Sequence, residues 1–130
     1  MNEFHTDIWK TILPEGWDGD EDDDGVVLYA NEGVGELQIS VSEMEEGLVD
    51  EEDLEYFAAE LIEDEIPFSR VRIGEFQGLF FEYDDGEDYC REWYLAYDEL
   101  FFYVTYNCDP ADRHVEEHHI LEILKAINFH

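Results

Sequence analysis

The sequence predicts an α+β domain of 130 residues, in which an antiparallel sheet of about six to seven strands is covered by two main helices. The first indication is the stretch Tyr89–Cys108, whose aromatic and β-branched residues predict two strands folded about Asp98 and Glu99. The second is that both faces of this hairpin are largely apolar, which predicts a central position with cover on both sides. The third is the helical spacing of apolar residues in two other stretches. We interpret residues 1–130 as one domain.

The N-terminal part of the chain predicts a strand followed by an acidic loop. We expect residues 1–7 to form a loose or short helical lead, and Ile8–Leu13 to form a strand that stops at Pro14. Trp17 is a candidate core anchor. Six acids within the seven residues Asp18–Asp24 predict an exposed loop, because such charges cannot be buried together.

The remaining strands are predicted to pair as hairpins. Val26–Ala30 and Glu36–Ser42 flank a glycine-containing turn, and the second stretch alternates between apolar and polar residues as a half-buried strand does. Phe68–Gly74 and Phe76–Tyr83 predict two further strands before the central hairpin. Short connections of this kind favour an antiparallel sheet.

Two helices are predicted, each with one apolar stripe. The first spans Asp50–Glu65, with Asp50 as N-cap, and ends before Pro67. Its apolar stripe consists of Leu54, Phe57, Ala58, Leu61 and Ile62. The last helix is predicted to open at Asp109-Pro110, because proline is favoured at the first helical position. Its buried face consists of Val115, Ile120, Ile123, Leu124 and Ile127.

The charge of the chain restricts the partners that it can bind. The formal net charge is -31, from 37 acids and only 6 Lys plus Arg. Such a surface offers no counter-charge to nucleic acid or to an anionic membrane, so we expect neither as a partner. The charge instead favours a basic protein, divalent cations or a saline cytoplasm. No pattern in the sequence indicates a cofactor.

The acids are concentrated in the first half of the chain. No basic residue lies between Lys10 and Arg70, whereas 21 acids fall between Glu15 and Glu65. We therefore predict that a partner docks on the 18–24 segment and on the outer side of the first helix. The predicted partner-binding residues are Asp18, Asp20, Asp22, Asp23, Asp24, Tyr56, Glu60 and Glu63. Tyr56 is the predicted aromatic anchor, because it lies off the apolar stripe of its helix.

The cysteines and the N-terminus indicate a cytoplasmic protein. Residues 1–10 contain no apolar run, so we expect no signal peptide. In the cytosol Cys90 and Cys108 would be reduced thiols. A two-residue turn sets Cys90 opposite Asn107, and a shift of one residue in register sets it opposite Cys108, so a disulfide stays an alternative to the favoured buried thiols.

Two patterns resemble metal sites. Asp20, Asp22 and Asp24 match the first half of a calcium-binding loop, but its bidentate glutamate is missing and the flanks predict strands. His114 and His118 match the inverted zinc-peptidase pattern H-x-x-E-H, without room for the downstream carboxylate ligand. We predict at most weak or adventitious metal binding at either place. His119 is predicted to be a packed histidine.

Four motifs resemble small bacterial proteins of the PsbP-like α/β fold. They are Leu13-Pro14-Glu15-Gly16-Trp17, the stretch from Gly35 to Ser40, the stretch from Arg91 to Ala96 and the stretch from Tyr103 to Cys108. The resemblance implies an antiparallel sheet sandwiched between helices. The wider fold includes a photosystem II subunit, a Ran-binding nuclear-import factor and many bacterial proteins without an assigned activity. The fold implies a binding or assembly module and transfers no functional residue.

The leading functional hypothesis is a non-enzymatic, acidic interaction module that binds a basic protein, for example an immunity protein that neutralises a toxin. One alternative is a metal-dependent hydrolase that uses the helix of His114 and His118. A second alternative is a domain whose acidic surface is an adaptation to salt. Its oligomeric state is left open by the sequence.

Overall fold

The computed structural model describes residues 2–45 and 47–129. The strands are β1 (Asn2–His5), β2 (Trp9–Leu13), β3 (Trp17–Asp22), β4 (Gly25–Ala30), β5 (Gly35–Glu43), β6 (Phe68–Ile73), β7 (Phe76–Asp84), β8 (Tyr89–Tyr97), β9 (Leu100–Cys108) and β10 (Asn128–Phe129). The helices are α1 (Glu51–Phe57), α2 (Ala59–Glu63) and α3 (Glu117–Lys125), and a 3-10 turn spans Pro110–Asp112. Among these residues no helix has the length and the apolar content needed to cross a membrane.

Seven strands form one antiparallel sheet in the order β3-β4-β5-β9-β8-β7-β6. The hairpin β8–β9 lies in its middle, as predicted, and turns at Asp98, which adopts a φ of 49°. The register places Cys90 opposite Asn107 and Cys108 opposite Tyr89. The two cysteines therefore point to opposite faces of the sheet, and both are buried free thiols.

Residues 2–5 form a strand, so the prediction of a loose or helical segment over residues 1–7 is wrong there, and Met1 lies outside the described residues. β1 pairs with β2, and β2 pairs with β10, to form a small three-stranded sheet. Pairing with β2 satisfies the backbone of a segment that has little helical character of its own. Thr11 anchors this sheet to α3, since its buried hydroxyl donates to the carbonyl of Ile123 at 2.7 Å.

Two apolar clusters cover the two faces of the large sheet. On the α3 face, α3 and the small sheet pack on a core that includes Trp9, Trp17 and Phe102. On the α1 face, α1 packs on β7 and β8 through Leu54 and Ala58. The predicted sandwich of a sheet between helices is confirmed. The helical cover of the α1 face lies over β7 and β8, however, and reaches β9 through the stacking of Phe57 on Phe101, so it lies toward one edge of the sheet.

The first helix is interrupted at Ala58, so the prediction of one continuous helix over Asp50–Glu65 is wrong. Ala58 has φ −93° and ψ 12°, yet its N–H still donates to the Leu54 carbonyl at 3.0 Å. This local kink leaves Ala58 buried against the sheet. The N-terminus is as predicted, because Asp50 and Asp53 form a reciprocal capping box.

The last helix begins at Glu117, and the prediction that Asp109-Pro110 opens it is wrong. Asp109 instead caps the 3-10 turn, accepting from the N–H of Ala111 at 2.9 Å. The start of α3 is fixed by a tertiary contact, because the buried carboxylate of Glu116 accepts the Tyr106 hydroxyl at 2.7 Å. Val115 falls in the connecting turn and is exposed, contrary to its predicted place in the core.

Candidate interaction surface

The acidic segment Asp18–Asp24 forms an edge strand and a turn, and its prediction as a loop is wrong. β3 is hydrogen bonded to β4 alone within the described sheet. An edge strand can pair its backbone on one side and keep every charge in water, so high acidity does not prevent a strand there. We call Asp18, Asp20 and Asp22 of β3, with Asp23 and Asp24 of the following turn, the acidic edge.

Alternation along β3 decides where the acids point. Trp17 and Gly19 face the α3 side, where a Cβ on Gly19 would lie 2.4 Å from Leu28 Cδ2. Asp18, Asp20 and Asp22 therefore project from the α1 face, and all three are exposed. Since α1 covers β7 and β8, this part of the α1 face is open.

Hydrogen bonds within the acidic edge fix its turn and one of its strand carboxylates. Asp22 Oδ1 accepts from the N–H groups of Asp24 at 2.8 Å and Gly25 at 3.1 Å. The Tyr29 hydroxyl on β4 donates to Asp20 Oδ2 at 3.1 Å. This hydrogen bond and the negative charge of Asp20 raise the pKa of Tyr29 above its ordinary value. Tyr29 is thus a neutral donor that orders one acid of the surface.

The outer side of the first helical segment is the second predicted part of the surface. Tyr56 is 79% exposed and its ring meets that of Phe57 edge-on, with centroids 5.9 Å apart. Glu60 and Glu63 on α2 are exposed as well. The prediction that Tyr56 lies off the apolar stripe is confirmed.

The two predicted parts lie on the same side of the sheet and are not adjacent. β4, β5 and β9 separate β3 from β8, which is about 19 Å at a strand spacing of about 4.8 Å. The side chains of Tyr29, Gln38 and Thr105 project between them on the α1 face. We call this uncovered area over β3, β4 and β5 the open face.

The predicted histidine pair is not assembled. His114 precedes the first residue of α3, so the one-turn spacing of a helix does not bring it over His118. Each ring has its own carboxylate, with His114 Nδ1 3.1 Å from Glu117 Oε2 and His118 Nε2 2.6 Å from Glu122 Oε1. Within residues 2–45 and 47–129, no three His, Cys, Asp or Glu side chains are grouped to hold a metal ion.

His119 is exposed, so its prediction as a packed histidine is wrong. Its ring contacts Trp17 edge-on at 6.1 Å between centroids, and its Nδ1 accepts from the indole N–H at 3.3 Å. α3 turns this side chain to the rim of the core because Ile120, Ile123 and Leu124 take the inward positions. His119 therefore closes the core over Trp17 from outside.

A buried carboxylate at the centre of the α1 face was not found by sequence reasoning. Glu92 on β8 is 8% exposed. Its Oε1 accepts the hydroxyls of Tyr94 at 2.9 Å and Tyr103 at 2.7 Å, and its Oε2 accepts that of Tyr83. Burial, together with the hydrogen bond and the charge of Glu92, raises the pKa of each of these phenols. We call these four residues the Glu92 cluster.

The Glu92 cluster is suited to structure more than to catalysis. Its three phenols stay protonated, and each hydroxyl donates a hydrogen bond to the same carboxylate. None of the three is therefore a reactive group. The neighbouring Cys90 is also inert, because burial and the charge of Asp85 raise the pKa of its thiol to about 11. A thiol of this kind carries little of the nucleophilic thiolate at neutral pH.

Arg91 lies on the α3 face of the sheet and connects the sheet to α3. Its guanidinium is 3% exposed, donates from Nε to the Tyr89 hydroxyl at 2.8 Å and lies 3.2 Å from Glu117 Oε1. It also stacks over the Tyr89 ring at 5.3 Å from the centroid. Arg91 therefore makes both an ion pair and an aromatic contact. This residue ties α3 to the centre of the sheet.

Comparisons with known proteins identify the fold. No protein-family model matches this chain, and no curated protein matches it in sequence. A protein of Bacteroides thetaiotaomicron VPI-5482, known from a crystal structure, aligns with 98% of the chain at a TM-score of 0.73 and 15% identity, and the chain spans 48% of its length. Cyanobacterial PsbP (CyanoP) from Synechocystis sp. PCC 6803 aligns with 99% of the chain at a TM-score of 0.65 and 11% identity, with 92% of that protein covered. Both likenesses support the PsbP-like fold.

Proposed function

We propose that this chain, on the premise of its PsbP-like fold, is a non-enzymatic interaction module whose open face docks a basic protein. The observation that carries the proposal is the uneven cover of the sheet. α1 packs over β7 and β8, whereas β3, β4 and β5 leave an open face from which Asp18, Asp20 and Asp22 project. An immunity protein that neutralises a basic toxin is one role that such a surface would fit.

The distance between the two acidic parts suits one interface. A partner of standard size covers about 800 Å² on each side, which is roughly 30 Å across. The separation of about 19 Å between β3 and β8 falls within that width. One basic partner can therefore contact the acidic edge and the Tyr56 side of α1 together, with Tyr29 and Gln38 beneath it.

The acidic edge speeds encounter, and apolar contacts hold the complex. Exposed charges of one sign steer a basic partner and act mainly on the association rate, whereas buried anchors set the dissociation rate. Tyr56 is the anchor that this surface offers, because a large aromatic side chain that is 79% exposed gains most from being covered.

A non-catalytic role is supported by the chemistry of the described side chains. The thiols of Cys90 and Cys108 have raised pKa values because they are buried. The histidines proposed for a hydrolase are each paired with a separate glutamate. No specific observation favours the hydrolase alternative.

The acidic edge has a competing explanation. Charges on an edge strand prevent two copies from pairing edge to edge, and they keep a protein soluble in salt. That explanation requires no partner and predicts no preference for one acidic region over another. The two explanations therefore differ in whether the position of the charges matters.

The experiment compares two variants that lose the same charge. The acidic-edge variant carries Asp20→Asn, Asp22→Asn, Asp23→Asn and Asp24→Asn, and Asn at position 22 keeps an oxygen for the turn. The control variant carries Glu75→Gln, Asp84→Asn, Glu87→Gln and Glu99→Gln, all exposed positions outside the open face. Each variant and the wild type are used to capture proteins from native lysate at low and at high salt. We expect the wild type and the control variant to retain a basic protein at low salt. The acidic-edge variant should not retain it.

Equal loss from the two variants would show that only total charge matters and would overturn the docking proposal. Retention by the acidic-edge variant at every salt concentration would also overturn it. A protein captured through apolar contacts alone would bind more strongly as the salt concentration rises. This outcome would also count against a charge-steered partner.

A further inference from the structure

A cavity of about 350 Å³ lies between the start of α1 and strands β6 and β7, on the α1 face and at the opposite edge of the sheet from the acidic edge. Its buried lining is apolar and includes Val49, Leu54, Leu79 and Ala96. The volume falls at the lower end of the range for small-molecule sites. We call it the Arg72 cavity, after the charged residue in its lining.

Arg72 is the feature that distinguishes this cavity. Of the chain's arginines, Arg70 pairs with Glu51, Arg91 lies 3.2 Å from Glu117 Oε1, and Arg113 donates to the Pro110 carbonyl at 2.9 Å. Arg72 is exposed, and within residues 2–45 and 47–129 the structure gives it no hydrogen bond and no ion pair. An unpartnered guanidinium is unexpected in a chain with 37 acids and 6 bases.

The carboxylates that line the same cavity are already engaged. Asp50 Oδ1 accepts from the N–H of Asp53 at 2.9 Å as the helix cap. Glu51 is paired with Arg70, on the same strand as Arg72. Neither carboxylate neutralises Arg72, so the cavity combines one available cation with a buried apolar lining.

We propose that the Arg72 cavity binds a small apolar monocarboxylate, whose carboxylate pairs with the Arg72 guanidinium and whose hydrocarbon part covers Leu54 and Leu79. A guanidinium binds a carboxylate through two parallel N–H···O bonds. The ligand carries a single negative charge, because a net charge of -31 disfavours anions of higher charge and, among the residues that the structure describes, Arg72 is the one cation of the lining without a carboxylate partner. This site is independent of the proposed docking of a basic protein.

Octanoate is the probe, and 1-octanol is the uncharged comparison. Binding is followed by titration in heteronuclear NMR, with the amide resonances of Gly78 and Ala96 as reporters of the cavity. We expect octanoate to shift these resonances in a saturable manner, and octanol to bind at least about tenfold more weakly, since a charge-assisted hydrogen bond contributes about 1.5–3 kcal/mol.

Three variants separate charge recognition from total charge. Arg72→Gln should weaken octanoate binding about tenfold or more. Lys125→Gln removes the same charge from an exposed position on α3, away from the cavity, and should leave binding within about twofold. Arg72→Lys should bind between these limits, because an ammonium keeps the charge and loses the paired geometry.

Three results would overturn the proposal. The first is octanoate that causes no saturable shift at Gly78 and Ala96, or that shifts other regions instead. The second is equal affinity for octanoate and octanol, which would make the cavity a non-selective apolar site. The third is equal loss of affinity in Arg72→Gln and Lys125→Gln, which would reflect net charge alone. These three measurements of octanoate binding do not depend on whether the acidic-edge variant loses its docking partner.

Discussion

The same pair of groups, a tyrosine hydroxyl and a carboxylate, occurs at the edge and at the centre of this sheet with different consequences. At the edge, Tyr29 donates to Asp20, and the carboxylate stays in water. At the centre, Glu92 is buried and accepts from Tyr94, Tyr103 and Tyr83. Burial makes the central carboxylate a structural requirement, because without it the three phenols would lose the acceptor that they share. Exposure leaves the edge carboxylate hydrated, so the fold does not depend on it in the same way.

The largest effect is expected at the centre. Glu92→Ala leaves three tyrosine hydroxyls without their acceptor, and each unsatisfied buried group costs about 1–3 kcal/mol. We expect the free energy of unfolding to fall by about 3 kcal/mol or more in urea denaturation. Asp20→Ala, the matched change at the edge, should alter it by less than about 0.5 kcal/mol. Equal losses in the two variants would remove the distinction between centre and edge.

The next effect concerns the rate of association. The acidic-edge variant should bind a basic partner about tenfold more slowly at low salt, with a flatter salt dependence, because steering depends on local charge. Tyr56→Ala should leave the association rate nearly unchanged and increase the dissociation rate. Stopped-flow association and dissociation at several salt concentrations measure both. A partner whose rates are unaffected by either change does not use the open face, and the search should then turn to the rest of the sheet or to α3.

A smaller effect is expected on thermal stability. Raising the ionic strength from about 0.01 M to about 0.15 M shortens the screening length from about 30 Å to about 8 Å, which weakens repulsion among exposed acids. The melting temperature should rise by a few degrees, since about 1 kcal/mol corresponds to roughly 4 °C in a chain of this size. The acidic-edge variant should start higher and gain less, as calorimetry would show. A melting temperature that is flat or falls over this range would mean that the acids are too dispersed to repel one another.

The smallest effect is the ionisation of Tyr29. Asp20 raises the pKa of Tyr29 by accepting its hydrogen bond and by its charge. Asp20→Asn should therefore lower this pKa toward the ordinary value, which NMR titration of the ring resonances would measure. A raised folded-state pKa stabilises the fold below the unfolded value near 10 and ceases to do so as pH rises through the folded value. An unchanged pKa in Asp20→Asn would separate Tyr29 from the acidic edge.

Much of the sheet could be predicted because its signals are local. The two-residue turn at Asp98 and Glu99 fixed the register of the central hairpin, and Cys90 lies opposite Asn107 as that register requires. The cap at Asp50 was likewise visible from residues within one turn of it. Local turn and capping chemistry acts between residues that are close in sequence, so one chain is enough to read it.

The predictions were wrong where the local structure depends on a contact between residues that are far apart in the sequence. β3 becomes a strand because β4 pairs with it, and the start of α3 follows from the contact between Glu116 and Tyr106. Three of the four residues of the Glu92 cluster were within reach, since Glu92, Tyr94 and Tyr103 lie on the central hairpin and its register sets Tyr94 opposite Tyr103. Tyr83 belongs to β7, and its place near Glu92 depends on a second register. The Arg72 cavity has no sequence signal, because it arises from the packing of α1 beside β6.

The order of the strands also has a consequence for how the chain folds. β3, β4 and β5 form one meander and β6, β7, β8 and β9 form another, and they meet along the pairing of Gly35–Glu43 with Leu100–Cys108. Pairing along this seam must overcome the entropy of closing a long loop, so we expect it to be the slow step after each meander has formed. Pulse-labelled hydrogen exchange should then protect amides of β8 before those of β5. A chain cut between β5 and α1 would yield two fragments, each with a whole meander, that reassemble along this seam and through the pairing of β2 with β10.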